Sequence, residues 1–209
     1  MLQLHQYSKH YQDYLVLAIE DLVISPGVHW LKGDNGSGKT TLFKSLAGII
    51  PFQGTVKLHD VDAKLETNTY RKMVNYGEAE PLFPGFLTAK DLVGFVGKAR
   101  NSPKREQEYY SRRMGITSFF SQPCGTFSSG MMKRLSLVLA FLGNPKLIIL
   151  DEPQVTLDEA SRNVLIRLIL EKLQDPKVVV LLSSHQSIDH GALPFSETFV
   201  IQEKKLIRS

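Results

Sequence analysis

Gly33-Asp34-Asn35-Gly36-Ser37-Gly38-Lys39-Thr40 follows the pattern G-x-x-x-x-G-K-[ST]. The residue types suit one task, the holding of a polyphosphate. Glycines let backbone N–H groups turn inward around phosphate oxygens without Cβ collisions. A helix opening near Lys39 adds unpaired N–H groups and the positive end of its dipole. Lys39 brings a point charge to the terminal phosphates, and Thr40 offers a hydroxyl to a magnesium ion. Thr41, next in the same helix start, completes the cradle. An accidental glycine-rich turn would not need a strand before it and a helix after it, and both are predicted here.

A second constellation is Leu147-Ile148-Ile149-Leu150-Asp151-Glu152, an apolar run that ends in two acids. Ligands of open α/β sheets bind at the carboxyl ends of strands. Successive side chains of a strand point to opposite faces, so the two carboxylates can take separate tasks. Asp151 can hold the magnesium shell while Glu152 polarises an attacking water. Standing alone, the pair could equally solvate a strand end. Pro153, which lacks an N–H, then breaks the strand.

The elements that must position these groups alternate between strand-like and helix-like runs, an α/β pattern. Leu2 to Tyr7 and Leu15 to Ile24 read as strands with a turn around Gln12 and Asp13. Val28 to Lys32 leads into the glycine-rich loop. Lys39 to Ala47 reads as a helix closed by Gly48, and Gly54 to Leu58 as a strand. Between Thr88 and Leu142 three helices are predicted: Asp91 to Lys98, Lys104 to Met114 and Met131 to Leu142. Leu147 to Leu150 and Val178 to Leu182 are wholly apolar, as in strands buried on both faces. Glu159 to Leu173 reads as a helix, and Thr198 to Ile201 with Lys204 to Ile207 as a closing hairpin.

The chain has 209 residues, 43% hydrophobic and 22% charged, which suits one globular domain and excludes a disordered or fibrous chain. A net charge of +4 reads as a solvated surface with spare lysines, so no nucleic-acid partner is expected. The single cysteine, Cys124, excludes an internal disulfide and favours a reducing compartment. The apolar run Leu135 to Leu142 falls far short of the roughly 20 residues that cross a bilayer. Met1 to His10 has no charged-then-apolar signal pattern. A membrane role is therefore expected to come through a partner.

With these motifs in place, the chain resembles the ABC ATPase family over essentially its whole length. Phe127-Ser128-Ser129-Gly130-Met131, before the basic start Met132-Lys133-Arg134, is similar to the family's L-S-G-G-Q signature. Gln154 to Asp158 resembles its D-loop, and Ser183-Ser184-His185 its switch histidine. Tyr11 stands where an aromatic residue commonly stacks on adenine. Each short match alone has a bland reading: Ser128 as a helix cap, His185 as a structural residue, Tyr11 as surface. Their order, anchored by the two strong motifs, carries the resemblance.

The resemblance implies a P-loop NTPase core with an N-terminal antiparallel β subdomain and an inserted helical subdomain at about 88–129, all within one ABC ATPase domain. It implies two subunits, identical or not, docked head to tail around ATP and Mg²⁺. Ser128, Ser129 and Gly130 of one would meet the γ-phosphate on the other, with Glu152, His185 and Lys39 as the catalytic groups. It further implies a separate transmembrane permease subunit, a peripheral position on the cytoplasmic face of the plasma membrane, and a lean toward export. Two departures stand out. The glutamine that links the metal site to the permease is replaced by Ala79, and Glu78 and Glu80 straddle that place as candidate metal groups. Ser129 and Met131 replace signature residues, which leaves open a weakly hydrolysing half of a heterodimer. A soluble ABC protein acting in translation or DNA repair, a small-molecule kinase and a non-hydrolysing regulator are the rival readings. Ribosome association, dependence on an added acceptor, or insensitivity to Glu152→Gln would favour each in turn.

Overall fold

The computed structural model describes residues 1–184 and 193–209. One mixed sheet of ten strands runs through it. Its first strands are β1 (Leu2–Tyr11), β2 (Tyr14–Ile24), β3 (Gly27–Lys32), β4 (Gln53–Leu58) and β5 (Val61–Asp62). The remainder are β6 (Val74–Gly77), β7 (Leu147–Leu150), β8 (Val179–Ser183), β9 (Phe195–Gln202) and β10 (Lys205–Arg208). Their order across the sheet is β5-β4-β1-β2-β10-β9-β3-β8-β7-β6. Strands β9, β3, β8, β7 and β6 pair in parallel, whereas β1, β2, β4 and β5 form an antiparallel flank.

The wholly apolar strands are buried because both sheet faces are covered. Leu147 and Ile149 of β7 pack on one side with Leu42, Phe43 and Leu46 of helix α1 (Lys39–Leu46). Ile148 and Leu150 face the opposite side. The core on that side also takes residues from α3 (Ala89–Ala99), α4 (Lys104–Arg113), α5 (Ser129–Phe141) and α6 (Glu159–Lys172). Alternate residues of one strand thus feed two cores, as the period of two requires. Every residue of β8 is likewise buried. Among the described residues no helix is long and apolar enough to cross a membrane.

Sequence and structure differ at several elements, three of which bear on the site. The opening strand continues past Tyr7 to Tyr11, since Ser8 to His10 alternate inward and outward beside β2. Helix α5 starts two residues before Met131, because Ser128 caps it by accepting the Met131 N–H at 3.3 Å. Helix α2 (Thr67–Met73) and strand β6 were not anticipated. Only Tyr70 of α2 is buried, so the segment has no apolar stripe to read. In β6 a polar side chain occupies a buried place: Asn75 donates to the carbonyls of Ala140 and Leu142 at 3.0 and 2.8 Å, closing the end of α5.

The buried ring of His29 in β3 makes stability depend on pH. It is fully buried, with Nε2 2.8 Å from the Ser25 carbonyl. Burial pushes its pKa below the ordinary 6.5, against the pull of the Ser25 carbonyl and Glu197, with Arg208 assisting the fall. The unfolded chain therefore binds more protons than the folded one as pH drops through about 6.5. Stability contributed by the neutral ring is complete above that pH and declines below it, by at most about 1.4 kcal/mol per pH unit. Urea midpoints at pH 7.5 and 5.5 are expected to differ, and His29→Leu is expected to shrink the difference.

Candidate functional site

The glycine-rich loop leaves β3 and enters α1 with Gly38 as the helix cap, at φ 107°. A Cβ there would lie 2.9 Å from Val16 Cγ1, so both conformation and space demand glycine. Lys39 is 5% exposed, and its ammonium closes the loop on itself. It donates to the carbonyls of Gly33 and Asp34 at 2.6 and 3.0 Å. Burial lowers its pKa, while Glu152, Asp151 and Asp34 pull it back up. The Ser37 hydroxyl is buried in the same loop without a hydrogen-bond partner. A buried orphan is costly, and a phosphate oxygen would satisfy it.

A cleft of about 340 Å³ opens over this loop. Tyr11, Tyr14, Val16, Asn35 to Thr41 and Glu152 line it. Tyr11 and Tyr14 are cross-strand partners where the β1–β2 hairpin turns, so both side chains project from one face of the sheet. Lys9 lies over the Tyr11 ring and Lys204 over the Tyr14 ring, at 4.7 and 4.3 Å from the centroids. Tyr14 was not singled out in the sequence; its place opposite Tyr11 becomes evident only from the hairpin register.

The acid pair reaches the loop from the end of β7. Thr40 donates its hydroxyl to Asp151 Oδ2 at 2.7 Å, and Tyr76 donates to the same oxygen at 3.3 Å. Ser183 donates to the other oxygen at 2.5 Å and accepts the Glu152 N–H at 2.9 Å. Strand pairing explains this cluster. Leu150 lies opposite Leu182 on β8 and opposite Gly77 on β6, so Asp151 follows beside Ser183, with Tyr76 one residue before Gly77. Tyr76 and Ser183 are thus site residues that sequence patterns alone did not assign. The Tyr76 hydroxyl is held protonated by burial and by the nearby charges of Asp151 and Glu78.

Glu152 has φ 45°, a left-handed conformation that is uncommon for a residue with a side chain. The Ser183 bond fixes this turn. The result puts Glu152 on the border between two clefts. The second, about 540 Å³, is lined by Asn35, Thr40, Lys44, Tyr76, Glu78, Ala79, Glu80, Glu152 and Val155. Glu78 and Glu80 thus share a cleft with Thr40 and Glu152. Glu78 is partly buried and Glu80 exposed.

The Thr40 hydroxyl and Asp151 carboxylate form a hard-oxygen donor pair of the kind Mg²⁺ takes. Among the described residues no three His, Cys, Asp or Glu side chains are grouped to hold a metal ion. A magnesium ion held by this pair would fill its other places with water or phosphate oxygens, as an ion delivered with a nucleotide does. The donors present fit that role.

Ser128, Ser129 and Gly130 line neither cleft. They form the cap and first residues of α5, and a Cβ on Gly130 would lie 3.1 Å from the Thr156 carbonyl. Glycine lets α5 approach the segment after Pro153 closely. Lys133, farther along α5, is buried and donates to the carbonyls of Glu78, Ala79 and Asp151 at 2.9, 2.6 and 3.4 Å. Burial lowers its pKa to about 8, opposed by Asp151, Glu152, Glu80 and Glu78. His185 lies outside the described residues.

Comparison with known proteins agrees with this geometry. The family model for ABC transporters matches residues 22–155. The ABC transporter ATP-binding protein NatA of Bacillus subtilis is 29% identical over 88% of this chain and 79% of its own length. The glucosylceramide transporter ABCA12 of Mus musculus is 30% identical over 92% of this chain, a match that spans only 8% of that protein. A solved ATP-binding subunit of an ABC transporter superposes with a TM-score of 0.89 at 24% identity, covering 100% of this chain and 89% of that one. An ATP-binding cassette solved as a dimer in a post-hydrolysis state with ADP and Pi gives 0.85 at 16% identity, covering 100% and 98%. Taken with the loop, the acid pair and the signature-like helix start, the match makes this chain a member of the ABC transporter family, with the fold of its ATP-binding subunits.

Proposed function

We propose that this chain binds ATP with magnesium and hydrolyses it, and that hydrolysis drives transport through a separate membrane-spanning partner. One observation carries the reading. Lys39, Thr40 and Glu152 line the cleft over the loop, and Thr40 donates to Asp151, so groups from the loop and from the end of β7 meet at one place. Lys39 would exchange the Gly33 and Asp34 carbonyls for phosphate oxygens, and the loop N–H groups with Ser37 would surround the phosphates. Thr40 and Asp151 would hold magnesium, which supplies charge neutralisation at the phosphates. Glu152 would orient a water and take its proton as the water oxygen bonds to the γ-phosphorus. The bond to the bridging oxygen breaks, and that oxygen leaves with ADP. His185 would stabilise the γ-phosphate.

Tyr11 would stack on adenine. Ser128, Ser129 and Gly130 do not reach this chain's own cleft, which favours their action on nucleotide held by a second copy or a non-identical partner. In that arrangement the segment at about 88–129 serves as a helical subdomain carrying the signature. Leu82, Phe86 and Phe95 are exposed apolar side chains on or near it, available to a permease. On this reading the protein would work at the cytoplasmic face of a membrane, with export as the favoured direction.

Of the two glutamates beside Ala79, Glu78 is the better candidate for the metal site. It is less exposed, and its charge bears on Tyr76, which touches Asp151. Glu78→Ala is expected to raise the Mg²⁺ needed for half-maximal turnover by about tenfold, a loss typical of groups supporting a metal site, with Glu80→Ala near wild type. A titration of ATPase rate against Mg²⁺ checks it.

Transport itself is tested by recovering the tagged protein from detergent-solubilised native membranes. A membrane-spanning protein that co-purifies and alters ATP turnover is the expected result. Co-sedimentation with ribosomes instead would turn the reading toward a non-transport ABC protein.

A further inference from the structure

Lys133 is 2% exposed and among the largest fully buried side chains, yet its ammonium pairs with backbone carbonyls rather than filling an ion pair. An ammonium has three N–H donors. The carbonyls of Glu78, Ala79 and Asp151 take all three. Packing alone does not call for this arrangement, because apolar side chains commonly replace buried charges without loss of stability. What distinguishes the site is where the carbonyls lie. Glu78 and Ala79 follow directly on β6, and Asp151 follows directly on β7. The ammonium therefore clasps two neighbouring strand ends just where their acids enter the cleft. Its own helix begins at the Ser128 cap, five residues earlier in the chain.

We propose that Lys133 is a positioning residue for the hydrolytic centre, tying the Glu78–Ala79 backbone to the end of β7 and to the signature-bearing helix. The inference rests on the proposed hydrolytic function. The tie holds the acidic loop at a fixed distance from Thr40, Asp151 and Glu152. It also joins the helix start that would serve one nucleotide to the loop that serves another.

The test compares Lys133→Met, which fills the space without donors or charge, with Lys133→Arg, which keeps both. Hydrogen–deuterium exchange reads the amides of residues 76–82, and ATP binding is titrated in EDTA and in Mg²⁺. In Lys133→Met these amides are expected to exchange at least about tenfold faster, reflecting a lost local tether. Affinity in EDTA should stay within about threefold of wild type, whereas the gain in affinity on adding Mg²⁺ and the turnover should each fall by about tenfold to a hundredfold. Lys133→Arg should restore much of both. Unchanged exchange at 76–82 with unchanged Mg²⁺ dependence in Lys133→Met would overturn the proposal. So would equal loss of binding in EDTA and in Mg²⁺ that arginine does not rescue, since that marks a general structural role. Should Lys133→Met fail to fold, Lys133→Gln is read by the same measurements. A wild-type protein that never hydrolyses ATP would refute the functional reading, while the exchange rates at 76–82 would still decide whether the tether exists.

Discussion

Glu152→Gln is expected to reduce ATP turnover by at least about a hundredfold, the usual scale for losing a positioned general base. The replacement preserves shape and leaves nucleotide contacts from the loop untouched, so binding should persist. The physical reason lies in the turn. Glu152 adopts φ 45°, is fixed by the Ser183 hydroxyl, and borders both the cleft over the glycine-rich loop and the cleft holding Glu78. A carboxylate carried on that fixed turn of backbone can accept a proton from water, whereas an amide has no comparable basicity. If two copies close around unhydrolysed ATP, the variant should also accumulate as an ATP-dependent dimer. Steady-state phosphate release and size-exclusion chromatography with and without MgATP check the two parts. A variant with wild-type turnover would remove Glu152 from the mechanism.

Lys39→Ala is expected to have the largest effect on binding. Lys39 is 5% exposed and its ammonium is held by two loop carbonyls, so the nucleotide would meet a charge already drawn into the loop. Hydrogen bonds to charged groups contribute up to about 3 kcal/mol, which corresponds to roughly a hundredfold in affinity. Alanine also frees the Gly33 and Asp34 carbonyls, so the empty loop should loosen. Isothermal titration with MgATP measures the first effect, and a thermal melt without nucleotide separates it from general unfolding.

Legibility in the sequence followed the strictness of the chemistry. The loop from Gly33 to Thr40 and the pair Asp151-Glu152 stand out in the sequence because phosphate and metal would demand fixed residue types at fixed spacing. Strands β7 and β8 could be read because burial on both faces leaves only apolar residues. Strand β6 could not, because Asn75 occupies a buried place to satisfy the end of α5. Tyr76, Ser183 and Lys133 were opaque for another reason. Their roles depend on which strand ends lie side by side, and no local pattern encodes that register. Ser128 shows the converse. Its capping of α5 was the bland alternative to ligand binding, and the structure displays the cap, while contact with a nucleotide belongs to the proposed dimer.

The central claim is that the loop before Lys39 and the acids after β7 form one ATP-hydrolysing centre. Its most direct test is release of inorganic phosphate from MgATP by the purified protein, with no acceptor present and with Glu152→Gln run alongside. Phosphate appearing in equal amount to ADP, and lost in the variant, is the predicted result. No release from the wild type, or the same release from both proteins, would contradict it.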